Sequence, residues 1–510
     1  MKAKYLYVLL FLFSFSSCSD DLLYQEPSTS LTDESVLESA ENVKAVLMGA
    51  YSWTGHFHYL TIGQISLDVM GNDLKISNGN YHYSTYNWLM YSYAYQQYPR
   101  EFDGWWSAYS PYMWEKAYKA IDECNQIIVN ADKLPEGCDD LLAQAYGIRG
   151  WNFLNLYHLY CASYTSAGPS GQGLFLRLTP ADASGDNAPR SDLATSMKRI
   201  IDDFTYVYKN STGTDSYFIN KRAAALLLAR TYLDMGEYDN ARMYAEAVGS
   251  PFDGSDLMTK EEYQSGFNTI NSEWLWGFNF TSETTNIYAS IPSFYQVATA
   301  KDKDSGYGTL GYGTQVDYDY LLKNGVDYLV GYGTVRAAKS FVDIFENNDC
   351  RKLFPFYLDS KDGYITSKFT SKVSLGIADY PMCRLAEAYL IEAECLLKGS
   401  QPDVVKGLQI LNALRVKRGE SQLTSAQFTS DEIWKERRRE LYGEGFALSD
   451  IKRLQKPLER VGEEHWSDVI SLPANSPRMM FPIPADELDY NKSATSDDQN
   501  EYCLLYTSPS

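Results

Sequence analysis

The chain lacks the cysteine and histidine spacings that hold metals. Its 510 residues include eight cysteines and five histidines; no CxxC pair occurs, and only His56 and His58 stand close together. Zinc and iron–sulfur centres draw on closely spaced thiolates and imidazoles, so no metal and no other cofactor is expected. The cysteines read as single buried thiols, and His56 and His58, on an aromatic stretch, as packed or solvated rings. After Phe15 no apolar run approaches the roughly 20 residues that a membrane-spanning helix needs. No Pro/Gly/Ser-rich linker interrupts the chain, so one continuous architecture is expected in spite of its length. Positive charge is scarce: 45 Lys and Arg against 66 Asp and Glu leave a net charge of -21. That balance disfavours nucleic acid, whose phosphates would be repelled. Nucleophile elbows, phosphate-binding glycine loops and zinc-protease signatures are all missing.

What is present begins with a leader. Lys2 and Lys4 precede an apolar run from Tyr5 to Phe15, followed by small Ser16 and Ser17 and then Cys18. Basic, apolar and small-residue regions in that order form an export signal. A leader that ends in small residues before a cysteine resembles a bacterial lipoprotein signal, in which that cysteine is lipidated and becomes the new N-terminus. Ser19, Asp20 and Asp21 resemble the acidic export signal that sends lipoproteins of Bacteroides-type bacteria to the outside of the outer membrane. The resemblance implies a signal peptide over 1–17, lipidation at Cys18 and a tether over 18–32; the alternative is an ordinary secretory leader with an incidental cysteine.

Helical periodicity dominates the rest, and it comes in pairs. Within Asn220 to Gly249 the residues Leu228, Ala229, Tyr232, Gly236, Tyr238, Ala241 and Tyr244 place one helix before Gly236 and a second after it. This spacing matches a tetratricopeptide repeat, whose stacked helix pairs bury a shared core. Leu385–Leu397 with Val404–Val416 predicts another pair, although Gly407 stands where the repeat prefers alanine. Asp139–Tyr160 with Asp192–Tyr208 predicts a third, and Leu37–Ala50 and Met113–Ile128 add further helices. The non-helical remainder lies mainly in Leu67–Pro111 and Glu273–Tyr332, the latter with a strand-like alternation at Trp274–Phe280. Both stretches are rich in rings and glycine, a combination suited to exposed loops. Trp88, Tyr91, Tyr93, Tyr95 and Tyr98 crowd the first; Tyr288, Tyr295, Tyr307, Tyr312, Tyr318, Tyr320, Tyr328 and Tyr332 crowd the second.

Several motifs then occur in a telling order. They are Arg384–Glu394 (RLAEAYLIEAE), Leu411–Arg415, Glu436–Leu441, Glu444-Gly445, Asp450–Arg453 and Phe481–Pro484, preceded by Gly49–Tyr51, Tyr118–Ile121 with Asn125, and Pro189–Ser191, and followed by Gln499-Asn500 with Tyr502. In content and order they resemble the SusD/RagB family over nearly the whole mature chain. Two departures are Phe446–Leu448, where the family often has a His or Arg, and the tail 503–510 beyond the usual family end. The resemblance implies a mainly α fold, one domain over 33–502, with tetratricopeptide-like pairs at about 139–209, 220–249 and 383–418 as scaffold, long irregular loops and a few short strands. It also implies a non-enzymatic, lipid-anchored outer-membrane protein facing the cell exterior, which binds oligosaccharide or polysaccharide for a SusC-like TonB-dependent transporter.

Ring-rich loops suit that task, because a sugar's C–H face lies well on an aromatic ring while its hydroxyls hydrogen-bond at the rim. Trp88 is the leading platform candidate, with Asn72 and Asp73 as hydroxyl partners by similarity to the family's sugar-contacting segment; Tyr288, Tyr307 and Tyr312 are candidates in the second stretch. Trp114, on a helix, reads as core. The basic run Lys435–Arg439, interleaved by Glu436 and Glu440, reads as ion pairs within and between helices. Carboxylate pairs such as Glu392 with Glu394 and Asp202 with Asp203 could serve a glycoside hydrolase, but on helices they read as a solvated face. A peptide- or glycopeptide-binding protein of the same fold is the other alternative.

Overall fold

The computed structural model describes residues 37–77, 87, 90–93, 110–181, 188–286, 289–296, 333–357, 363–372, 376–467 and 469–500. Among them the fold is mainly helical with a few short strands, as expected. The longer helices are α1 (Ala40–Thr54), α2 (Leu60–Val69), α3 (Ser110–Ile128), α4 (Asp139–Tyr160), α5 (Leu193–Asn210), α6 (Lys221–Asp234), α7 (Tyr238–Ala247), α8 (Leu385–Lys398), α9 (Val404–Arg418), α10 (Ser430–Leu441) and α11 (Ala447–Arg453). The strands are β1 (Leu74–Ile76), β2 (Gln172–Phe175), β3 (Arg190–Asp192), β4 (Trp274–Phe278), β5 (Val335–Ala337), β6 (Phe356–Tyr357), β7 (Tyr364–Ile365), β8 (Tyr380–Arg384), β9 (Leu458–Glu459) and β10 (Ser471–Leu472).

The three expected helix pairs are α4/α5, α6/α7 and α8/α9. Each packs on the next: α1 on α3, α3 on α4, and so on through α9, with the segment between α7 and α8 bridged by their direct contact. In α6 the run Ala223 to Thr231 is buried on every side, which a helix flanked by α5, α7 and α8 requires. Its first turn is closed by Asn220, whose side chain accepts from the N–H groups of Arg222 and Ala223 at 3.1 Å. Gly236, at φ +75°, makes the left-handed turn into α7. Gly407 has a packing reason of its own: a Cβ there would lie 2.8 Å from the Phe428 ring and 3.1 Å from Leu396 Cβ. The departure from alanine therefore makes room for the Phe428 ring and for Leu396 of α8.

β4 pairs antiparallel with β8, Trp274 opposite Arg384. This is the strand expected at Trp274–Phe280, and both of its faces are covered: all five residues of β4 are buried. α2 is likewise buried at every position. It takes in Leu67–Val69, the start of the stretch read as non-helical: Thr61, Gln64, Ser66 and Asp68 are buried beside the apolar residues, so polarity marks no solvent face and leaves no amphipathic period to detect.

Arginines and carboxylates fill the space around α10. Glu440, fully buried, accepts from Arg351, Arg384 and Arg418 at 3.0–3.1 Å. Glu436 accepts from Arg351, Arg415 and Arg439, Glu273 from Arg384 and Arg418, and Glu444 from Arg384 and Lys368. Burial pushes the Glu440 carboxyl upward, but Arg418, Arg384 and Arg351 outweigh it and hold it well below the usual range. The basic run of α10 thus forms ion pairs as its sequence suggests, those of Arg437 and Arg439 in the interior and that of Lys435 nearer the surface.

Glu392 and Glu394 correct the expectation of a solvated face, being 0% and 2% exposed. Burial raises the Glu394 carboxyl, yet Arg453, at 2.9 and 3.0 Å, prevails and brings it down to about 2. Arg242 reaches Glu392 at 3.2 Å. Asp203 is also buried, gripped by Arg149 at 2.8 and 2.9 Å, while its neighbour Asp202 remains at the surface. Arg453 thus outweighs desolvation at Glu394, whereas at Glu392 burial, joined by the Glu246 charge, prevails over Lys406 and Arg242 and raises the carboxyl to about 7, and at Asp203 burial prevails over Arg149 and raises it too. The pairs still brace one helix against the next. Cys124, Cys138, Cys161, Cys350, Cys383 and Cys395 are buried free thiols.

Candidate functional site

The two ring-rich stretches share one support. β1 leads into the first and β5 follows the second, and the strands pair antiparallel with Leu74 opposite Ala337 and Ile76 opposite Val335. Just past them the Ser77 N–H donates to the Thr334 carbonyl at 2.8 Å. One stretch therefore leaves the sheet where the other arrives. β7 and β6 extend the sheet beyond β5.

The hairpin β9–β10 braces this sheet. The Trp466 indole donates to the Ile76 carbonyl at 2.6 Å, the Lys75 ammonium donates to the Glu464 carbonyl, and the Ser340 hydroxyl donates to the Val461 carbonyl at 2.9 Å. Arg460, buried in the hairpin, donates to the carbonyls of Val69, Tyr91 and Val469 at 2.8–2.9 Å, and its guanidinium lies 4.1 Å from the Tyr91 ring centre. It thereby ties the end of α2 to residues 90–93. His465 shares a 2.8 Å hydrogen bond with the Tyr91 hydroxyl. Burial, with Arg460 and Lys75 nearby, pushes His465 down to about 3, so its imidazole is neutral at pH 7. Around the sheet, Val461, Ile470 and Tyr357 turn apolar surface to solvent. Sequence reasoning missed this hairpin; the available signal was the His465-Trp466 pair, which marks a packed ring cluster outside the stretches singled out.

Of the predicted site residues, Trp88, Tyr288, Tyr307 and Tyr312 lie outside the described residues, as does Cys18. Asn72 and Asp73 sit between α2 and β1. The Asn72 amide oxygen accepts from the Glu459 N–H at 2.9 Å. Asp73 is buried, and Arg438 holds both its oxygens. The hollow beside them, walled by Trp434 and Arg437, measures about 20 Å³, the room of a single water. The Arg438 pair gives Asp73 an anchoring role. Tyr91, Tyr93 and Tyr295, counted among the loop rings, are sealed at 0–1% exposure, because the hairpin covers the first two and Phe369 covers the third at 4.9 Å. Trp114 is core, as expected, with its indole donating to Glu487 at 3.1 Å. Among the described residues no group of His, Cys, Asp and Glu is placed to hold a metal, and no helix is long and apolar enough to cross a membrane.

Stacked helix pairs with a small sheet from which two ring-rich stretches issue define a helical-repeat scaffold protein. Residues 24–233 match the family model described as starch-binding, associating with the outer membrane, and residues 357–502 match that of the SusD family. Together the two matches mark the chain as SusD-like. Among solved structures it is similar to a SusD superfamily protein from Bacteroides thetaiotaomicron VPI-5482, at 23% identity over 90% of this chain and 99% of that one, with a TM-score of 0.74. A SusD-like carbohydrate binding protein from Bacteroides vulgatus ATCC 8482 aligns at 22% identity over 92% and 99%, with a TM-score of 0.72. Surface glycan-binding protein A from Bacteroides thetaiotaomicron, in complex with laminarihexaose, aligns at 17% identity over 90% and 99%, with a TM-score of 0.65. No curated protein matches the chain.

Proposed function

We propose that the chain is a cell-surface glycan-binding lipoprotein, anchored in the outer membrane through Cys18, that captures oligosaccharides or polysaccharides and hands them unchanged to a SusC-like TonB-dependent transporter. One observation carries this function: both ring-rich stretches are fixed at adjacent points of one sheet, at Ser77 and Thr334. Trp88 and Tyr288, Tyr307 and Tyr312 belong to those stretches, and paired ring surfaces suit the C–H faces of a saccharide. The starch-binding description of the matching family model supports it, as does the laminarihexaose complex of a relative. The 18–32 segment acts as the tether and 33–502 as the binding domain.

Calorimetry against a polysaccharide panel tests the capture step. Saturable binding without released reducing ends is expected, and Trp88→Ala should weaken it by about 1–3 kcal/mol, the value of one ring stacked on a flat partner. Unchanged affinity would remove Trp88 from the site; turnover abolished by one carboxylate substitution would make the protein a hydrolase. Cys18→Ala should release the protein from the outer-membrane fraction, and retention through an alkaline wash would refute the anchor.

A further inference from the structure

A second ring surface lies away from the sheet, where α1 meets α3. It begins at Trp53 near the end of α1 and continues through the turn that follows. Trp53 stacks on His56 with centroids 6.4 Å apart, His56 on Phe57 at 4.7 Å, Phe57 meets His58 at 4.0 Å, and His58 meets Tyr112 of α3 at 5.4 Å. All are half-buried, forming a row with one edge toward solvent. Burial, followed by the Lys116 charge, takes His56 down to about 4; burial, followed by His56, takes His58 down to about 3. Both imidazoles are thus neutral at pH 7, and the row carries no charge of its own.

Tyr112 is also a wall of a cleft of about 830 Å³, bounded by α3, the segment Leu176–Ala181 and the segment Pro484–Glu487. That volume is in the range of about 300–1,000 Å³ usual for small-molecule sites. Lys119 joins cleft and row, since it lines the former and its ammonium stands 4.6 Å from the Trp53 ring centre. The far wall is fixed: Asn125 donates to the carbonyls of Arg177 and Thr179 at 3.0 and 3.1 Å, and Asp122 accepts from the Ala181 N–H at 2.6 Å. The Arg177 guanidinium lies 4.5 Å from the Tyr118 ring centre, and its buried Nε meets no acceptor among the described residues. Glu115, Asp122, Asp486 and Glu487 outnumber Lys119 and Arg177 along the walls. Phosphate, sulfate and uronate would be repelled there, whereas hydroxyls find acceptors and C–H faces find rings. None of the lining residues belongs to the sheet or hairpin that carries the ring-rich stretches.

We propose that this cleft, with the row from Trp53 to Tyr112, is a second carbohydrate subsite that takes a neutral oligosaccharide. It rests on the glycan-binding function proposed above and adds a separate place and a charge preference. The mature full-length protein is titrated by calorimetry with maltoheptaose, laminarihexaose, xylohexaose and, as the anionic comparator, oligogalacturonate. Tyr112→Ala removes the ring shared by row and cleft. Ala181→Trp fills the cleft from an exposed position without touching the core, and circular dichroism confirms that each variant is folded. Both should weaken binding of a neutral oligosaccharide at one of two sites by about tenfold or more, the worth of a lost ring contact, while Trp88→Ala leaves that site unchanged. Wild-type isotherms in both cleft variants would overturn the subsite and leave glycan binding by the loops standing. Oligogalacturonate as the preferred cleft ligand would overturn the charge argument and with it the proposal. If the wild type binds no saccharide at all, the general function fails first and the subsite falls with it.

Discussion

Glu440→Ala should cost about 3–5 kcal/mol, the usual loss when one partner of a buried ion pair is removed and the other stays behind. Here three guanidinium groups stay behind: Arg351, Arg384 and Arg418 all donate to this carboxylate at 3.0–3.1 Å. None can turn to water, since all three are buried. Against a total stability of about 5–15 kcal/mol for a typical domain, such a loss shifts the urea midpoint far enough to measure directly. A double variant, Glu440→Ala with Arg418→Ala, should lose less than the two single losses added together, because the second change removes one of the stranded charges. An unaltered midpoint for Glu440→Ala would mean that the knot around α10 contributes nothing to stability.

Trp276→Ala should cost a similar amount, about 3–5 kcal/mol for a large buried ring cut to a methyl group. Trp276 is fully buried in β4, edge-on to Trp151 at 6.3 Å and 5.7 Å from Phe278. These contacts join the β4–β8 ladder to α4. The indole N–H meets no acceptor among the described residues, so it is volume, not a hydrogen bond, that holds the ring. Trp276→Phe should accordingly be the milder change. Denaturation in urea decides the matter: equal losses for phenylalanine and alanine would show that the N–H, and not the packing, is what counts.

The scaffold was readable where local chemistry determines it. Gly236 and the small residues around it set out α6 and α7 to within a residue or two, because a left-handed turn and close helix contact leave a mark on the sequence itself. Even the odd Gly407 was visible, although its reason, the Phe428 ring, arrives from beyond the pair. The candidate site was less legible. Tyr91 and Tyr93 share a stretch with Trp88, and composition alone treats them alike. What puts Tyr91 and Tyr93 inside is Arg460 and its hairpin, hundreds of residues further along the chain. The same holds for Glu394, whose burial depends on Arg453 arriving from α11. Long-range partners decide burial, and a single sequence does not state them. Asp73 illustrates the cost: beside Asn72 it has the chemistry of a sugar contact, and Arg438 takes it instead.

The bond from Ser77 to Thr334 has a bearing on how such a protein could diversify. Main-chain pairing there is indifferent to side-chain identity, so the contents of either stretch can be rewritten while the pegs they hang from stay put. New preferences can then be tried without renegotiating the frame. For the engineer the same junction is a graft point: a foreign segment whose ends match that spacing inherits a rigid base on arrival.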